Sequence, residues 1–229
     1  MKVTTDACLF GAWVARIVEI RQALSLREGK AYRVLEIGTG TGLLTLMFAQ
    51  KVNASIDTIE IDKDAYEQAR ENISASPWKE RIEIHHADAR KFKPSFKYDI
   101  IISNPPFYEN ELKSPDEKKN VAHHGGLRLV DLLDIIFYNL DTDGRFYLLL
   151  PAKRTIEAGI LLAKYEFEVT ESVLVRQSTQ HDHFRMFIEG RRVQNEESKL
   201  KKNEISIWDD KKEYTKEFTD LLKDYYLNL

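Results

Sequence analysis

The sequence predicts an α/β fold: a mostly parallel seven-stranded sheet with helices on both faces and an antiparallel hairpin at one edge. Three observations predict it. Short apolar runs, among them Arg33–Ile37, Ser55–Ile61 and Tyr98–Ser103, alternate with helical patterns, as parallel βαβ units require. The first run leads into Gly38-Thr39-Gly40-Thr41-Gly42 and then an apolar helical segment, a strand–loop–helix transition. Near the end, Phe167–Gln177 and His183–Glu189 alternate in the manner of two antiparallel neighbours.

Taken in order, amphipathic residues from Asp6 to Leu24 predict a helix leading into the sheet. Strand Arg33–Ile37 and helix Leu43–Val52 flank the glycine loop. Strand Ser55–Ile61, helix Lys63–Ala75 and strand Arg81–His86 follow. Tyr98–Ser103 is continuously apolar towards its end, the mark of a strand covered on both faces. Helix Leu127–Asn139, strand Gly144–Leu150 and helix Lys153–Lys164 precede the hairpin. Gln194–Asn203 reads as a polar linker, and a last helix is expected over about Lys211–Tyr226. At 229 residues the chain suits one domain with a sizeable core. Residues 31–153 are expected to form its centre and 154–229 its edge strands and last helix.

Composition narrows the class. No apolar run is long enough to span a bilayer, and the start has no signal-peptide core, so a cytoplasmic location is expected. The single Cys8 excludes an internal disulfide and reads as a small core residue in an apolar helix. His123/His124 and His181/His183 have no supporting ligand set, so no metal is expected. The net charge of -3 is unlike that of strongly basic nucleic-acid binders. Affinity for phosphates rests on local lysines and arginines, however. Two clusters qualify: Lys113, Lys118, Lys119, His123, His124 and Arg128, interrupted by three acids, and Arg191-Arg192 with Lys199, Lys201 and Lys202. Taken alone, each reads as solvated surface; the first gains weight from its neighbours in sequence.

Those neighbours are Asn104-Pro105-Pro106-Phe107. Neither proline donates a backbone hydrogen bond, and Pro105 holds Asn104 towards extended geometry, so the strand must stop here. It stops at its carboxyl end, the edge where open α/β sheets bind ligands. The Asn104 side-chain oxygen and the Pro105 carbonyl can accept the two N–H bonds of a planar amino group, and Phe107 can stack on its ring. By itself the segment also reads as a tight turn with an aromatic packed on the core.

The glycine loop separates classes of ligand. A dinucleotide site prefers Gly-x-Gly-x-x-Gly, with pyrophosphate at the helix N-terminus. Here the pattern is Gly-x-Gly-x-Gly, preceded by Glu36. S-adenosylmethionine carries no phosphate, so an acid near the loop attracts its ammonium or sulfonium charge. Glu60 lies about 20 residues beyond the loop, the spacing at which an acid meets a ribose diol. Asp88, after the third strand, is placed to accept from an adenine amino group. Loop, two acids and Asn-Pro-Pro-Phe in this order make a combination that none makes alone.

With these residues in view, the chain resembles the class I methyltransferases with an Asn-Pro-Pro-aromatic signature, which modify adenine N6 or glutamine N5. More narrowly it resembles the bacterial tRNA (adenine-N6) methyltransferases that act 3′ of the anticodon in a valine tRNA. Three stretches carry the narrower likeness: Met1-Lys2-Val3-Thr4-Thr5-Asp6-Ala7-Cys8-Leu9-Phe10-Gly11-Ala12-Trp13, Asn72-Ile73-Ser74-Ala75-Ser76-Pro77-Trp78, and Ile101 through Tyr108. The resemblance implies a Rossmann-like fold, S-adenosylmethionine as methyl donor with S-adenosylhomocysteine as product, and a tRNA substrate with no obligate protein partner. It implies that Gly38, Gly40, Gly42 and Glu36 lie against the methionine moiety, Glu60 on the ribose, and Asp88 with Ala89 on the adenine. Thr5 and Asp6 would close the pocket within a lid over residues 1–30. Asn104, Pro105, Pro106 and Phe107 would be catalytic, with Asn104 also bordering the cofactor. Phe107, Tyr108, Lys118, Lys119 and Arg128 would meet the substrate. The family usually has residues before the Lys-Val-Thr-Thr-Asp segment and often Tyr at the position of Phe107. Three readings stay open beside it: glutamine N5 methylation of a protein, adenine methylation of ribosomal RNA, and a cofactor-binding assembly module without turnover.

Overall fold

The computed structural model describes residues 3–24, 31–105, 127–194 and 199–228. Among them a single sheet runs through the molecule. Its strands are β1 (Tyr32–Ile37), β2 (Ala54–Glu60), β3 (Ile82–His86), β4 (Tyr98–Ser103), β5 (Leu140–Pro151), β6 (Phe167–Ser178), β7 (His183–Arg192) and β8 (Lys201–Trp208). The helices are α1 (Thr5–Leu24), α2 (Leu43–Lys51), α3 (Lys63–Ser74), α4 (Leu129–Asn139), α5 (Thr155–Lys164) and α6 (Lys216–Leu222). Strand order is β3-β2-β1-β4-β5-β7-β6-β8. Strands β1 to β5 pair in parallel, and β7 runs antiparallel to both β5 and β6.

Among the described residues the sheet has eight strands, one more than the sequence predicted. Lys201–Trp208, whose first residues carry the sequence pattern of a polar linker, adds parallel to β6 with Ser178 opposite Trp208. Its first half, Lys-Lys-Asn-Glu, is exposed, and only Ile205 and Ile207 are buried. The alternation that marks a half-buried strand is therefore confined to Ile205–Trp208, too short a pattern to stand out. The last helix also shrinks to Lys216–Leu222. A turn with Lys212 at φ 65° and a Trp208–Tyr214 bridge precede it, and the Thr215 hydroxyl caps it by accepting from the Phe218 amide at 3.3 Å.

Apolar faces decide the layers. Strands β1, β4 and β5 are buried on both faces, as central parallel strands are. On one face Phe10, Trp13, Met47, Phe48 and Phe218 join α1, α2 and α6 to Tyr147 and Phe187 of the sheet. On the other, Leu132, Leu133, Ile136 and Leu162 of α4 and α5 pack on Leu35, Ile101, Phe146 and Leu148. Helices thus cover both faces, as predicted.

At the end of α1, a part-buried polar cluster ties helix to sheet. The Arg21 guanidinium donates to the Tyr147 hydroxyl at 2.7 Å and to Glu189 Oε1 at 2.8 Å, and Arg145 reaches the same carboxylate at 2.8 Å. Burial opposes the charge on Glu189, but the two arginines and Thr170 outweigh it and hold its pKa below the ordinary value.

Candidate active site

The site is built at the carboxyl ends of the parallel strands. Ile37, the last residue of β1, lies opposite Ile59 on one side and Ser103 on the other. The Ser103 hydroxyl, fully buried, donates to the Ile37 carbonyl at 2.8 Å and locks the ends of β1 and β4 together. The glycine loop leaves β1 here, with its first two amides, Gly38 and Thr39, donating back to the Ile59 carbonyl. Gly38, Gly40 and Gly42 have φ of 76°, 59° and 85°. Only glycine adopts this left-handed region without strain, and no atom of the described residues comes within 4 Å of the position a Gly38 side chain would take.

Two carboxylates flank the loop. Glu60, at the end of β2, accepts from the Gly40 amide at 2.8 Å through Oε2 and from the Ile61 and Asp62 amides at 2.9 Å through Oε1. It is a buttress of the loop as well as the acid at the ribose spacing. Glu36 is 2% exposed, accepts from the Thr45 hydroxyl through Oε2, and among the described residues has no partner on Oε1. Burial pushes its pKa up to about 7; the Thr45 and Thr39 hydroxyls oppose the rise, and the charge of Glu60 adds to it. A buried carboxylate oxygen without a partner costs free energy unless a donor or cation meets it. An ammonium or sulfonium group at the loop is such a cation, so the residues present fit S-adenosylmethionine.

Further along the edge, Asp88 caps the short turn Ala89–Lys91 and takes the Arg90 guanidinium through both oxygens, at 2.9 and 2.7 Å. That pairing lowers its pKa against a smaller opposing effect of burial. Ala89 is buried beside it. The Asp88–Arg90 pair lies within electrostatic range of Asp131 and Arg128, which form a second ion pair at 2.6 Å at the start of α4. Arg128 is well exposed. In the other direction, α1 begins at this edge. Asp6 in its first turn pairs with Arg185 at 2.7 Å, and Arg185 lies opposite Pro151, where β5 ends. Thr5 is exposed at the start of the same helix.

Asn104 is half-buried and Pro105 buried, directly after β4. Pro106, Phe107, Tyr108, Lys118 and Lys119 lie outside the described residues, as do His123 and His124. His181 accepts or donates at Ser178 Oγ over 2.7 Å, and His183 lies 3.6 Å from Glu204. Three contributors went unnoticed in the sequence. Thr45 is a lone hydroxyl in an otherwise apolar helix start, which is a signal. Arg90, two residues beyond Asp88, is a weaker one, and nothing local marks Arg185.

The order of strands, the glycine loop and the helices on both faces define a Rossmann-like methyltransferase fold. The methyltransferase small domain family model matches residues 21–130. A predicted O-methyltransferase from Agrobacterium tumefaciens superposes with a TM-score of 0.69 over 95% of both chains, at 16% identity. A putative RNA methyltransferase from Pyrococcus horikoshii gives 0.54 over 77% of this chain and 82% of its own, at 21% identity. Full-length relatives are closer in sequence. The tRNA1(Val) (adenine(37)-N6)-methyltransferase of Dyadobacter fermentans is 36% identical over 99% of this chain and 91% of its own length. Its namesake in Parabacteroides distasonis is 35% identical over 100% and 92%. This chain belongs to the tRNA1(Val) (adenine(37)-N6)-methyltransferase family.

Proposed function

We infer that the protein transfers a methyl group from S-adenosylmethionine to the exocyclic N6 of an adenine in tRNA, the adenine 3′ of the anticodon of a valine tRNA. The observation that carries this reading is the place of Asn104. It follows β4 directly, one strand from the glycine loop, with the two strand ends fastened by Ser103. The cofactor supplies an electrophilic methyl group.

The amino group of adenine is a poor nucleophile because its lone pair is delocalised into the ring. The Asn104 side-chain oxygen and the Pro105 carbonyl accept its two N–H bonds, orient the nitrogen and favour the positive charge that grows on it. Once attack has begun the nitrogen is acidic, so its proton leaves without a strong base. Phe107 stacks on the ring of the base, which reaches the pocket by leaving its own stack. Glu36, Gly38, Gly40 and Gly42 take the methionine moiety, Glu60 the ribose hydroxyls, and Asp88 with Ala89 the adenine of the cofactor. Thr5 and Asp6 close that pocket from α1, with Arg185 holding Asp6 in place. Tyr108, Lys118, Lys119 and Arg128 meet the RNA. No step in this scheme calls for a metal or for a protein partner.

None of the helices among the described residues is long and apolar enough to cross a membrane, which suits an enzyme meeting its RNA in the cytoplasm. The test is transfer of labelled methyl to total tRNA from a strain lacking the protein, followed by nucleoside analysis. N6-methyladenosine is expected. Cofactor binding without incorporation into tRNA would overturn the substrate and redirect the search to ribosomal RNA or a protein glutamine.

A further inference from the structure

We propose that Trp208 and the groove beside it form a stacking platform for an unpaired base of the RNA substrate, some distance from the methylated adenine. The proposal rests on the reading of that substrate as RNA. Phe218, Tyr214 and Trp208 form a column of near-parallel rings. Phe218 is fully buried, Tyr214 stacks on it at 4.6 Å and 14°, and Trp208 stacks on Tyr214 at 4.1 Å and 19°. Tyr214 stands between the other two rings in the column. Trp208 ends the column opposite buried Phe218 and, like Tyr214, is 37% exposed although it is among the largest apolar groups in the chain.

Trp208 lines an open groove of about 460 Å³ together with Gln177, Gln180, His181, Asp210 and Lys212. These five are exposed. Their amides, imidazole and carboxylate match the donors and acceptors on the edge of an unpaired base, and Lys212 adds a cation for the backbone.

Position selects the occupant. Trp208 ends β8 opposite Ser178, and β6 and β8 run parallel to β5, so the groove opens on the same edge of the sheet as the glycine loop and Asn104. Four strand spacings separate β4 from β8, about 19 Å at roughly 4.8 Å each. That is the rise of about five to six stacked nucleotides at 3.4 Å. A strand of RNA with one base in the pocket at Asn104 can therefore lay another on Trp208. A net charge of -3 limits what general attraction to phosphate contributes, and stacking supplies sequence-tolerant affinity that charge does not.

The experiment compares wild type, Trp208→Ala and Trp208→Phe in methyl transfer to tRNA from a strain lacking the protein. The expected result is a rise in KM for tRNA of roughly 5- to 150-fold in Trp208→Ala, the span of alanine substitutions at base–aromatic stacks. The loss should fall on KM for tRNA rather than on kcat, leave the Kd for S-adenosylmethionine unmoved, and be largely restored by Trp208→Phe, which keeps a ring face. Quenching of intrinsic fluorescence by tRNA should shrink in Trp208→Phe relative to wild type. Wild-type transfer with an unchanged KM in Trp208→Ala overturns the platform alone. Equal losses in the Phe and Ala variants overturn stacking as its basis. Wild type that methylates no RNA removes the substrate reading, and the platform with it.

Discussion

Replacing Glu36 by Gln should stabilise the cofactor-free protein at alkaline pH while crippling cofactor binding. The Glu36 carboxyl, buried beneath the glycine loop with one oxygen unpartnered among the described residues, has its pKa raised from 4.5 to about 7 by that burial. A carboxyl whose folded pKa lies above its unfolded one contributes stability that is fully present below the unfolded value and lost as pH rises through the folded value. For Glu36 that window runs from about 4.5 to about 7. At about 1.4 kcal/mol per pH unit, the ionised side chain costs the folded state about 3 kcal/mol above neutral pH, as an order of magnitude. Gln keeps the shape and cannot ionise. Thermal unfolding without cofactor should show Glu36→Gln melting about 6–12 °C above wild type at pH 8.5, at 2–4 °C per kcal/mol for a chain of this size. At pH 4.5 the gain should nearly vanish. Cofactor binding carries the opposite sign, because the sulfonium favours the carboxylate. Between pH 7 and 5.5, wild-type affinity should fall close to tenfold per pH unit, while Glu36→Gln binds weakly at every pH. A melting difference that does not change between pH 4.5 and 8.5 would refute the buried-carboxyl argument.

Other consequences are as direct. Asn104→Ala should lower kcat about 10²–10³-fold, the usual effect of removing one group that stabilises developing charge, with the Kd for S-adenosylmethionine within a few fold. Single-turnover kinetics at saturating cofactor check it. Gly38→Ala meets no atom of the described residues within 4 Å, so its cost in urea unfolding should be the left-handed backbone strain of about 1–2 kcal/mol. Its added methyl group at the loop should nevertheless weaken cofactor binding, as read by calorimetry. Arg185→Ala breaks a part-buried, charge-assisted pair with Asp6, so stability should fall by about 1–3 kcal/mol. Weaker cofactor binding in Arg185→Ala, matched by Asp6→Asn and not additive with it, would mark the pair as one device.

Most of the fold was legible because its signals are local. The runs before Ile37 and Ser103 are apolar throughout, and strands covered on both faces look like that wherever they occur. β8 was not legible, since its place depends on β6, far away in sequence, and half of it faces water. The site divides the same way. Glycines at positive φ, an acid at the end of β2 and an amide before two prolines are demands of backbone geometry, and they write themselves into the chain. The state of Glu36 is not of that kind. It follows first from burial, then from the Thr45 hydroxyl that opposes the rise and the Glu60 carboxylate that adds to it, and neither residue adjoins it in sequence. Arg185 lies still further from view, 179 residues from the Asp6 it holds.

The antiparallel strand explains why distant segments can serve one edge. Because β7 enters between β5 and β6 and runs opposite to both, β6 regains the direction of the parallel strands, and β8 follows it. The end of β8 therefore faces the same way as the ends of β1, β2 and β4. Had β8 added antiparallel to β6, Trp208 would lie at the opposite rim, beyond reach of any strand of RNA entering at Asn104. β7 in turn begins where β5 ends, which brings Arg185 to the first turn of α1. One reversal in the sheet thus places both the clasp on α1 and the aromatic column at the rim that holds the glycine loop. A variant that disturbs β7, such as Gly190→Ala, tests this linkage. Its Cβ would lie 2.2 Å from Cζ of the buried Phe146 ring, and overpacking of this kind costs about 1–3 kcal/mol. If β7 sets both features, Gly190→Ala should weaken cofactor and tRNA binding together, although the substitution touches neither site. Loss of stability with both affinities intact would show that the rim is assembled without it.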